Sequence, residues 1–239
     1  MRHVKLGINI DHVATLRQAR REKNPDTVEA ARVVYSSGGD MVVMHLRQAR
    51  RHIQDSDIER VRNEVKGLLH LEMAATPEMQ KIALRLRPDS VCLVPEGANE
   101  VTTQGGMKID PKNKDLEKVI RSIADAGMGV SVFTDPDPKV IRAAHNMGAD
   151  SIELCTTRYS AAWGKKLQAD ELEQLQLAGH LVKELGMELH AGHGLDYYNV
   201  APVAHIEGMD CLNIGYSVIS RALFVGLKTA VGEMKRLIQ

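Results

Sequence analysis

The fold of this chain of 239 residues is most constrained by short apolar runs that alternate with amphipathic helical patterns. A run such as Met41-Val42-Val43-Met44 is too short for a helix and apolar at every position, which is typical of a buried strand. Strands that alternate with helices predict βαβ units and a parallel sheet. The predicted strands lie near residues 4–11, 41–46, 68–73, 89–94, 128–133, 150–155, 187–192 and 210–214, and the predicted helices span 26–37, 57–66, 77–86, 114–126, 138–147, 169–185 and 217–239.

A weak internal repeat favours closing this sheet into a barrel. The even-numbered strands are entered through an aspartate with glycine or proline within the two preceding residues, and three odd-numbered ones follow a glycine suited to a helix cap. Turns elsewhere also favour these residues, so an open doubly wound sheet is the alternative. We predict a single α/β domain over residues 1–239, a (β/α)8 TIM barrel. The aspartates are Asp40, Asp89, Asp150 and Asp210, and the glycines are Gly67, Gly127 and Gly186.

Composition argues against several classes of protein. Lysine plus arginine and aspartate plus glutamate both total 31, so no net charge points to nucleic acid or to an anionic membrane. Aromatic residues make up 3%, which argues against base-stacking platforms. Cys92, Cys155 and Cys211 lack CxxC spacing, so we expect small buried apolar groups rather than disulfides or structural zinc. Without a signal-type or membrane-spanning apolar segment, the sequence predicts a cytoplasmic protein.

Groups able to do chemistry stand where the predicted strands end. Parallel barrels build one active site from side chains at the carboxyl ends of different strands. One histidine taken alone is more often structural, but several at one predicted mouth shift the balance toward function. We therefore expect a shared site formed by Asn9, Asp11 and His12 after the first strand, His45 and Arg47 after the second, Glu72 after the third and His193 after the seventh.

Two carboxylates are associated with apolar runs. Glu72 directly follows one and Glu153 lies within another, so each must be paired or protonated to be buried at acceptable cost. One interpretation is a general acid or base with a raised pKa, and the alternative is an ion pair with a nearby arginine. His70 precedes Glu72 by two residues and shares its side of the strand.

The sequence also contains candidate anion-binding groups. Arg47 shares the face of His45 and suits a clamp for phosphate or carboxylate, whereas Arg50 and Arg51 are equally well explained as a solvated run. Phosphate sites in such barrels often lie after strands seven and eight, at a helix N-terminus. The backbone N–H groups available there belong to Gly194, Gly215 and Tyr216.

The sequence contains one long irregular segment and lacks a zinc-binding histidine pattern. Residues 95–114 have no clear element, and a loop of that length is typical of a lid or binding loop. The sequence has no His-x-x-x-His pair of the helical zinc type, and the spacing of His190 and His193 does not indicate zinc. We expect no required metal.

Short motifs spread over nearly the whole chain point to one family. They are Asn-Ile-Asp-His-Val-Ala-Thr-Leu-Arg (9–17), His-Leu-Arg (45–47), Arg-Arg-His-Ile (50–53), Leu-Glu-Met-Ala (71–74), Cys-Leu-Val-Pro-Glu (92–96), Val-Thr-Thr (101–103), Ala-Gly-His-Gly-Leu (191–195) and Leu-Asn-Ile-Gly (212–215). In these motifs the chain closely resembles the pyridoxine 5′-phosphate synthase family, the vitamin B6 enzymes of the deoxyxylulose-phosphate-dependent route.

The resemblance implies a barrel with extra helices that assembles into octamers built from dimers. It also implies a cofactor-free condensation of 1-deoxy-D-xylulose 5-phosphate with 3-amino-2-oxopropyl phosphate to pyridoxine 5′-phosphate, phosphate and water. By this resemblance His45 and Glu72 are bases, His193 is a general acid, and Glu153 stabilises charged intermediates. Binding of substrates or product is implied for Asn9, Asp11, His12, Arg20, Arg47, His52, Thr102, Gly194 and Gly215, with backbone capture of phosphate extending to Tyr216 and a loop through Thr102 closing over the site.

Three segments depart from the family pattern. Tyr216 replaces a common histidine, residues 155–158 (Cys-Thr-Thr-Arg) replace a His-Thr-Gly stretch, and Gln48-Ala49 replace acidic residues. Two alternative functions are compatible with this barrel and its pocket. A Schiff-base aldolase or lyase on the same scaffold would need a lysine at a strand end, and none of the predicted strand ends has one. A non-catalytic sensor of phosphorylated ligands would keep the pocket without the turnover.

Overall fold

The computed structural model describes residues 3–97 and 105–239, and its eight strands form one closed parallel barrel. Each strand pairs with the next along the chain, and β8 (Met209–Ile214) pairs with β1 (Lys5–Asn9). This pairing closes the sheet, so the (β/α)8 barrel expected from the sequence is confirmed and the open sheet is excluded. The other strands are β2 (Met41–His45), β3 (Leu68–Met73), β4 (Ser90–Leu93), β5 (Gly129–Thr134), β6 (Ser151–Cys155) and β7 (Glu188–Gly192).

Helices surround the barrel, and the sequence predicts most of the long ones. The helix over Asp11–Arg20 is not predicted, because the sequence indicates only a loop or a short extra helix at residues 17–24. The sequence also misses α7 (Thr157–Ala162) and α9 (Val200–Ala204), which are only six and five residues long and therefore too short to show a helical period. Within the described ranges, no helix is long and apolar enough to cross a bilayer. The helices are α1 (Asp11–Arg20), α2 (Thr27–Ser36), α3 (Asp55–Glu64), α4 (Pro77–Leu86), α5 (Lys114–Asp125), α6 (Pro138–Met147), α7 (Thr157–Ala162), α8 (Gln168–Glu184), α9 (Val200–Ala204), α10 (Tyr216–Val225) and α11 (Leu227–Leu237).

Two differences from the predicted elements have clear local causes. The first strand ends at Asn9 and not at residue 11, because the Asn9 side chain accepts a hydrogen bond from the backbone N–H of Asp11 (2.8 Å). That Asx-type turn directs the chain straight into α1. The single helix predicted over residues 217–239 is α10 and α11, because Gly226 lies between them with φ 80° and ψ 150°, outside the helical region.

Apolar side chains lie mainly between the strands and the helices, whereas the inside of the barrel is largely polar. On β2, Val42 and Met44 belong to the large apolar cluster beneath the helices. The alternate residues Met41 and Val43 form a small separate cluster with Cys211. The interior positions also include the buried polar side chains of His70, Ser131, Glu153, His190 and Asn213. Cys92, Cys155 and Cys211 are all buried and unpaired, as the sequence predicts.

The repeated aspartates fasten the amino ends of neighbouring strands. Asp89 Oδ2 accepts the backbone N–H of Leu69 (2.8 Å), and the backbone N–H of Asp89 donates to the carbonyl of the same residue (3.0 Å). Each aspartate serves the second residue of an odd-numbered strand in this way, so the sequence repeat has a structural cause. The other carboxylate contacts are Asp40 with Leu6 (2.7 Å), Asp150 with Val130 (2.8 Å) and Asp210 with Leu189 (2.8 Å).

Candidate active site

The carboxyl ends of the strands open into a cavity of about 890 Å³. Strands from several parts of the chain supply its floor, as expected for a barrel of this type. Most of the residues predicted to form the site therefore lie together. The predicted residues that line it are Asn9, Asp11, His12, His45, Arg47, His52, Glu72, Glu153, His193, Gly194, Gly215 and Tyr216.

Two predicted site residues are not seen at the cavity, whereas one arginine with an uncertain predicted role lines it. Arg20 is exposed in the last turn of α1 and does not line the cavity of this single chain. Thr102 lies outside the described residues. Arg51, for which a solvated surface role is equally expected from the sequence, does line the cavity. The substrate-binding roles of Arg20 and Thr102 stay predictions.

Asp11 organises the floor of the cavity between β1 and β2. Its Oδ1 accepts the backbone N–H of His45 (2.8 Å), and its Oδ2 accepts from Asn9 Nδ2 (3.0 Å). The carboxylate is buried, and these two donors offset part of the cost of its desolvation. Asp11 therefore fixes the backbone that carries His45.

His45 lies between two carboxyl groups. Its Nδ1 is 3.5 Å from Glu72 Oε2, and its Nε2 is 3.0 Å from Glu96 Oε1. All three side chains are less than a tenth exposed. Sequence reasoning did not select Glu96, although it ends the Cys-Leu-Val-Pro-Glu motif just after β4. A histidine held between two buried carboxyls is suited to proton transfer.

The two carboxyls deepest in the site differ in their surroundings. Burial raises the pKa of Glu72 well above its ordinary 4.5, and the nearby charges of Glu153 and Asp11 raise it further. Burial also raises the pKa of Glu153, but Asn213 Nδ2 donates to its Oε2 at 2.7 Å and favours the anion. The site therefore favours the protonated form more strongly at Glu72 than at Glu153.

Two glycines make room for the pair formed by Glu153 and Asn213. A Cβ atom at Gly192 would lie 2.5 Å from Glu153 Oε1, and one at Gly7 would lie 2.2 Å from Asn213 Oδ1. Both distances are far below van der Waals contact, so a side chain at either position would displace the pair. Glycine at these two places is required by close approach.

Two cavity histidines are neutral at pH 7 in this site. Burial lowers the pKa of His193 to about 4, and the positive charge of Arg47 lowers it further. Burial also lowers the pKa of His52 to about 4, and its Nδ1 accepts the backbone N–H of Ile53 (2.8 Å). The proton of the neutral His52 ring must therefore be on Nε2, which leaves that N–H available as a donor.

Two ring pairs lie at the cavity. His193 has φ 76°, and its ring centroid is 4.7 Å from that of Phe133. His12 packs edge-on against Tyr216 with centroids 5.3 Å apart, and burial lowers the pKa of His12. The residue that departs from the family pattern at 216 thus contacts a predicted binding residue.

Some polar residues lie below the cavity floor. His70 is fully buried, its Nδ1 is 2.6 Å from Ser90 Oγ, and it does not line the cavity. His190, which sequence reasoning did not select, lies beside His70 with ring centroids 6.5 Å apart. Potential metal-ligand atoms approach within 4.8 Å of one another in two groups, and the expectation that no metal is required stays a prediction. These groups are Asp11, His45 and Glu72, and His70, Cys92 and Glu153.

Solved structures share the fold of this chain at low sequence identity. The 4-hydroxy-2-oxoglutarate aldolase/2-deydro-3-deoxyphosphogluconate aldolase from TTHB1 superposes with a TM-score of 0.66 at 12% identity, covering 98% of this chain and 94% of that one. Thiamine phosphate pyrophosphorylase from Pyrococcus furiosus gives 0.60 at 16% identity, covering 98% and 95%. At these identities the likeness concerns the barrel alone.

Much closer relatives are found by sequence. The pyridoxine 5′-phosphate synthase of Elusimicrobium minutum is 49% identical over 237 residues, 99% of this chain and 98% of that protein. The synthase of Syntrophotalea carbinolica is 48% identical over 233 residues, 98% of each. The family model described as pyridoxal phosphate biosynthesis protein PdxJ matches residues 6–239. Because both the model and these relatives extend over nearly the whole chain, the chain belongs to the PdxJ family.

Proposed function

We propose that this chain is a pyridoxine 5′-phosphate synthase. It condenses 1-deoxy-D-xylulose 5-phosphate with 3-amino-2-oxopropyl phosphate and releases phosphate and water. The observation that carries the proposal is His45 beside Glu72 and Glu153 on the cavity floor, where burial favours the protonated form of Glu72 more strongly than that of Glu153, in a chain about half identical to named synthases. Joining the two substrates requires imine formation, loss of phosphate, ring closure and dehydration, and nearly every one of these steps moves a proton.

The buried groups of the site have different roles in these proton transfers. His45 removes protons from the bound substrate, and Glu72, 3.5 Å from its Nδ1, exchanges a proton with it. Because burial favours the protonated form of Glu72, it acts as a base once it has donated that proton. The Glu153 carboxylate, held by Asn213, stabilises positive charge on an imine nitrogen.

The cavity has two kinds of group that suit phosphorylated substrates. Arg47 offers a guanidinium after β2, and α10 begins at Tyr216 after β8, with Gly215 and Gly194 also lining the cavity. A phosphate bound near His193 would favour its protonated form by opposite charge. His193 then becomes a general acid for the departing phosphate, although its ring is neutral in the free site.

The rivals make different predictions. A Schiff-base aldolase needs a lysine amine in the pocket, and none of the described cavity-lining residues is a lysine. A phosphate-ligand sensor binds without turnover. Measuring both ligand binding and product formation with the same preparation distinguishes this sensor from an enzyme.

The test is to dialyse the purified protein against a chelator and then mix it with both substrates. Product is followed by absorbance and by mass, and the released phosphate is measured in parallel. We expect pyridoxine 5′-phosphate and phosphate in equal amounts. Calorimetric binding of deoxyxylulose phosphate without any product, before as well as after dialysis, would refute the proposal and favour the sensor. Product from one substrate alone would point to a lyase.

Assembly and location are further parts of the proposal. We propose a homo-oligomer, an octamer built from dimers, and in support α10 exposes Leu223 and Phe224 at 70% and 84% in the single chain. Analytical ultracentrifugation at working concentration tests it, and a monomer would refute it.

The unpaired cysteines support a cytoplasmic location, which fractionation of the source cells tests.

A further inference from the structure

We propose that Glu96 is a positioning residue that sets which nitrogen of His45 carries the proton. The proposal rests on the proposed function only in that His45 is taken to be the base. Glu96 lies in the loop after β4, and its side chain is 7% exposed. Its two carboxylate oxygens contact different groups, Oε1 the Nε2 of His45 at 3.0 Å and Oε2 the backbone N–H of Gln48 at 3.1 Å.

The charge on Glu96 determines the direction of the hydrogen bond to His45. Burial alone would raise the pKa of Glu96, but the Gln48 N–H that donates to Oε2 and the positive charge of Arg47 both favour the ionised carboxylate, and the pKa lies below its ordinary value. An ionised carboxylate can only accept hydrogen bonds. His45 Nε2 must therefore carry the hydrogen in this contact.

This assignment decides what His45 can do on its other side. With the hydrogen on Nε2, the neutral ring presents the lone pair of Nδ1, and Nδ1 is the atom that faces Glu72 at 3.5 Å. Burial favours the protonated form of Glu72, so this lone pair faces a group from which it can take a proton. Glu96 thus points the basic nitrogen toward the other proton-transfer group, and it also ties the loop after β2 to the loop after β4.

Replacing Glu96 by glutamine separates these effects. The amide has one oxygen for two N–H donors, those of His45 Nε2 and Gln48. When the oxygen serves Gln48, the amide NH2 group faces the ring and favours hydrogen on Nδ1, which removes the lone pair from the side of Glu72. For Glu96→Gln we expect kcat to fall about 10- to 100-fold, a part of what a general base contributes, with KM little changed.

The matched control is Glu78→Gln. Glu78 Oε1 accepts from Arg50 Nη2 (2.6 Å) on the same loop after β2, but Glu78 does not contact His45. This variant also turns an ion-paired carboxylate into an amide, and we expect wild-type kcat. A loss equal to that of Glu96→Gln would mean that disturbing the loop alone explains the effect, and it would overturn the proposal.

The decisive measurement does not depend on turnover. Long-range 1H–15N NMR spectra of protein labelled at histidine report which ring nitrogen is protonated, and His45→Gln identifies the His45 signals by their loss. We expect the Nε2–H form in the wild type and a gain of the Nδ1–H form in Glu96→Gln. A wild-type His45 with hydrogen on Nδ1 overturns the proposal even if the variant folds poorly. If the wild type lacks synthase activity but shows the expected tautomers, the proposed function fails and the positioning role stands.

Discussion

Replacing Glu72 by glutamine tests both its protonation and its role. Burial and the charges of Glu153 and Asp11 raise the pKa of Glu72 well above 4.5, so the folded protein binds this proton more tightly than the unfolded chain does. Between the ordinary and the raised pKa, the free energy of unfolding of the wild type therefore falls as pH rises. The slope from one such group is at most about 1.4 kcal/mol per pH unit. Glutamine carries no titrating proton, so the variant lacks this slope.

The assay is urea unfolding of both proteins at several values between about pH 5 and pH 8, with turnover measured in parallel. We expect the stability of Glu72→Gln relative to wild type to increase with pH, and its kcat to be about 10²- to 10⁴-fold lower because a proton-transfer group is lost. Binding of deoxyxylulose phosphate should be largely retained. Glu117→Gln is the control, because Lys114 and Arg121 lower the pKa of Glu117 and its removal adds no such trend.

Two results would contradict this reasoning. If the stabilities of wild type and Glu72→Gln stayed parallel over the whole pH range, Glu72 would have no raised pKa in the folded protein. If the variant turned over substrate at the wild-type rate, Glu72 would have no part in the mechanism. A low rate with parallel stabilities would keep the catalytic role and reject only the protonation argument.

Three further predictions are as specific. Arg47→Ala should weaken binding of deoxyxylulose phosphate by about 10- to 150-fold, the value of a charge-assisted hydrogen bond, and unchanged affinity by calorimetry would contradict the clamp. Asp40→Asn should destabilise the fold by about 1–3 kcal/mol at neutral pH, because Asp40 accepts the Leu6 N–H and pairs with Lys235. Burial alone would raise the pKa of Asp40, but Lys235 and the Leu6 N–H hold it below its ordinary value. The difference in free energy of unfolding between wild type and Asp40→Asn should therefore shrink as pH falls below 3.8, which urea unfolding at acidic pH can measure. Dialysis against a chelator should leave turnover unchanged, and restoration of a lost rate by a divalent metal would show that a metal is required.

The sequence predicts the barrel because its signals are local. Short apolar runs, helical periods and cap glycines each act within a few residues, so eight strands and most of the long helices follow from the pattern. The rule that parallel barrels gather chemistry at the carboxyl ends of strands then brings His45, Glu72 and His193 into one predicted site. The errors at Asp11 and Gly226 arise where one side chain or one backbone angle overrides the periodicity.

Only the tertiary structure decides how these groups act on one another. Glu96 meets His45 across 51 positions of sequence, and Asn213 meets Glu153 across 60, so no local pattern reveals either contact. The space left by Gly192 likewise has meaning only in the strand register that places it beside Glu153. Protonation depends on burial and on charges brought close by folding, which sequence spacing does not measure. The chain's residue types thus determine which chemistry is available, and the barrel determines which carboxyl keeps its proton and which nitrogen of His45 faces it.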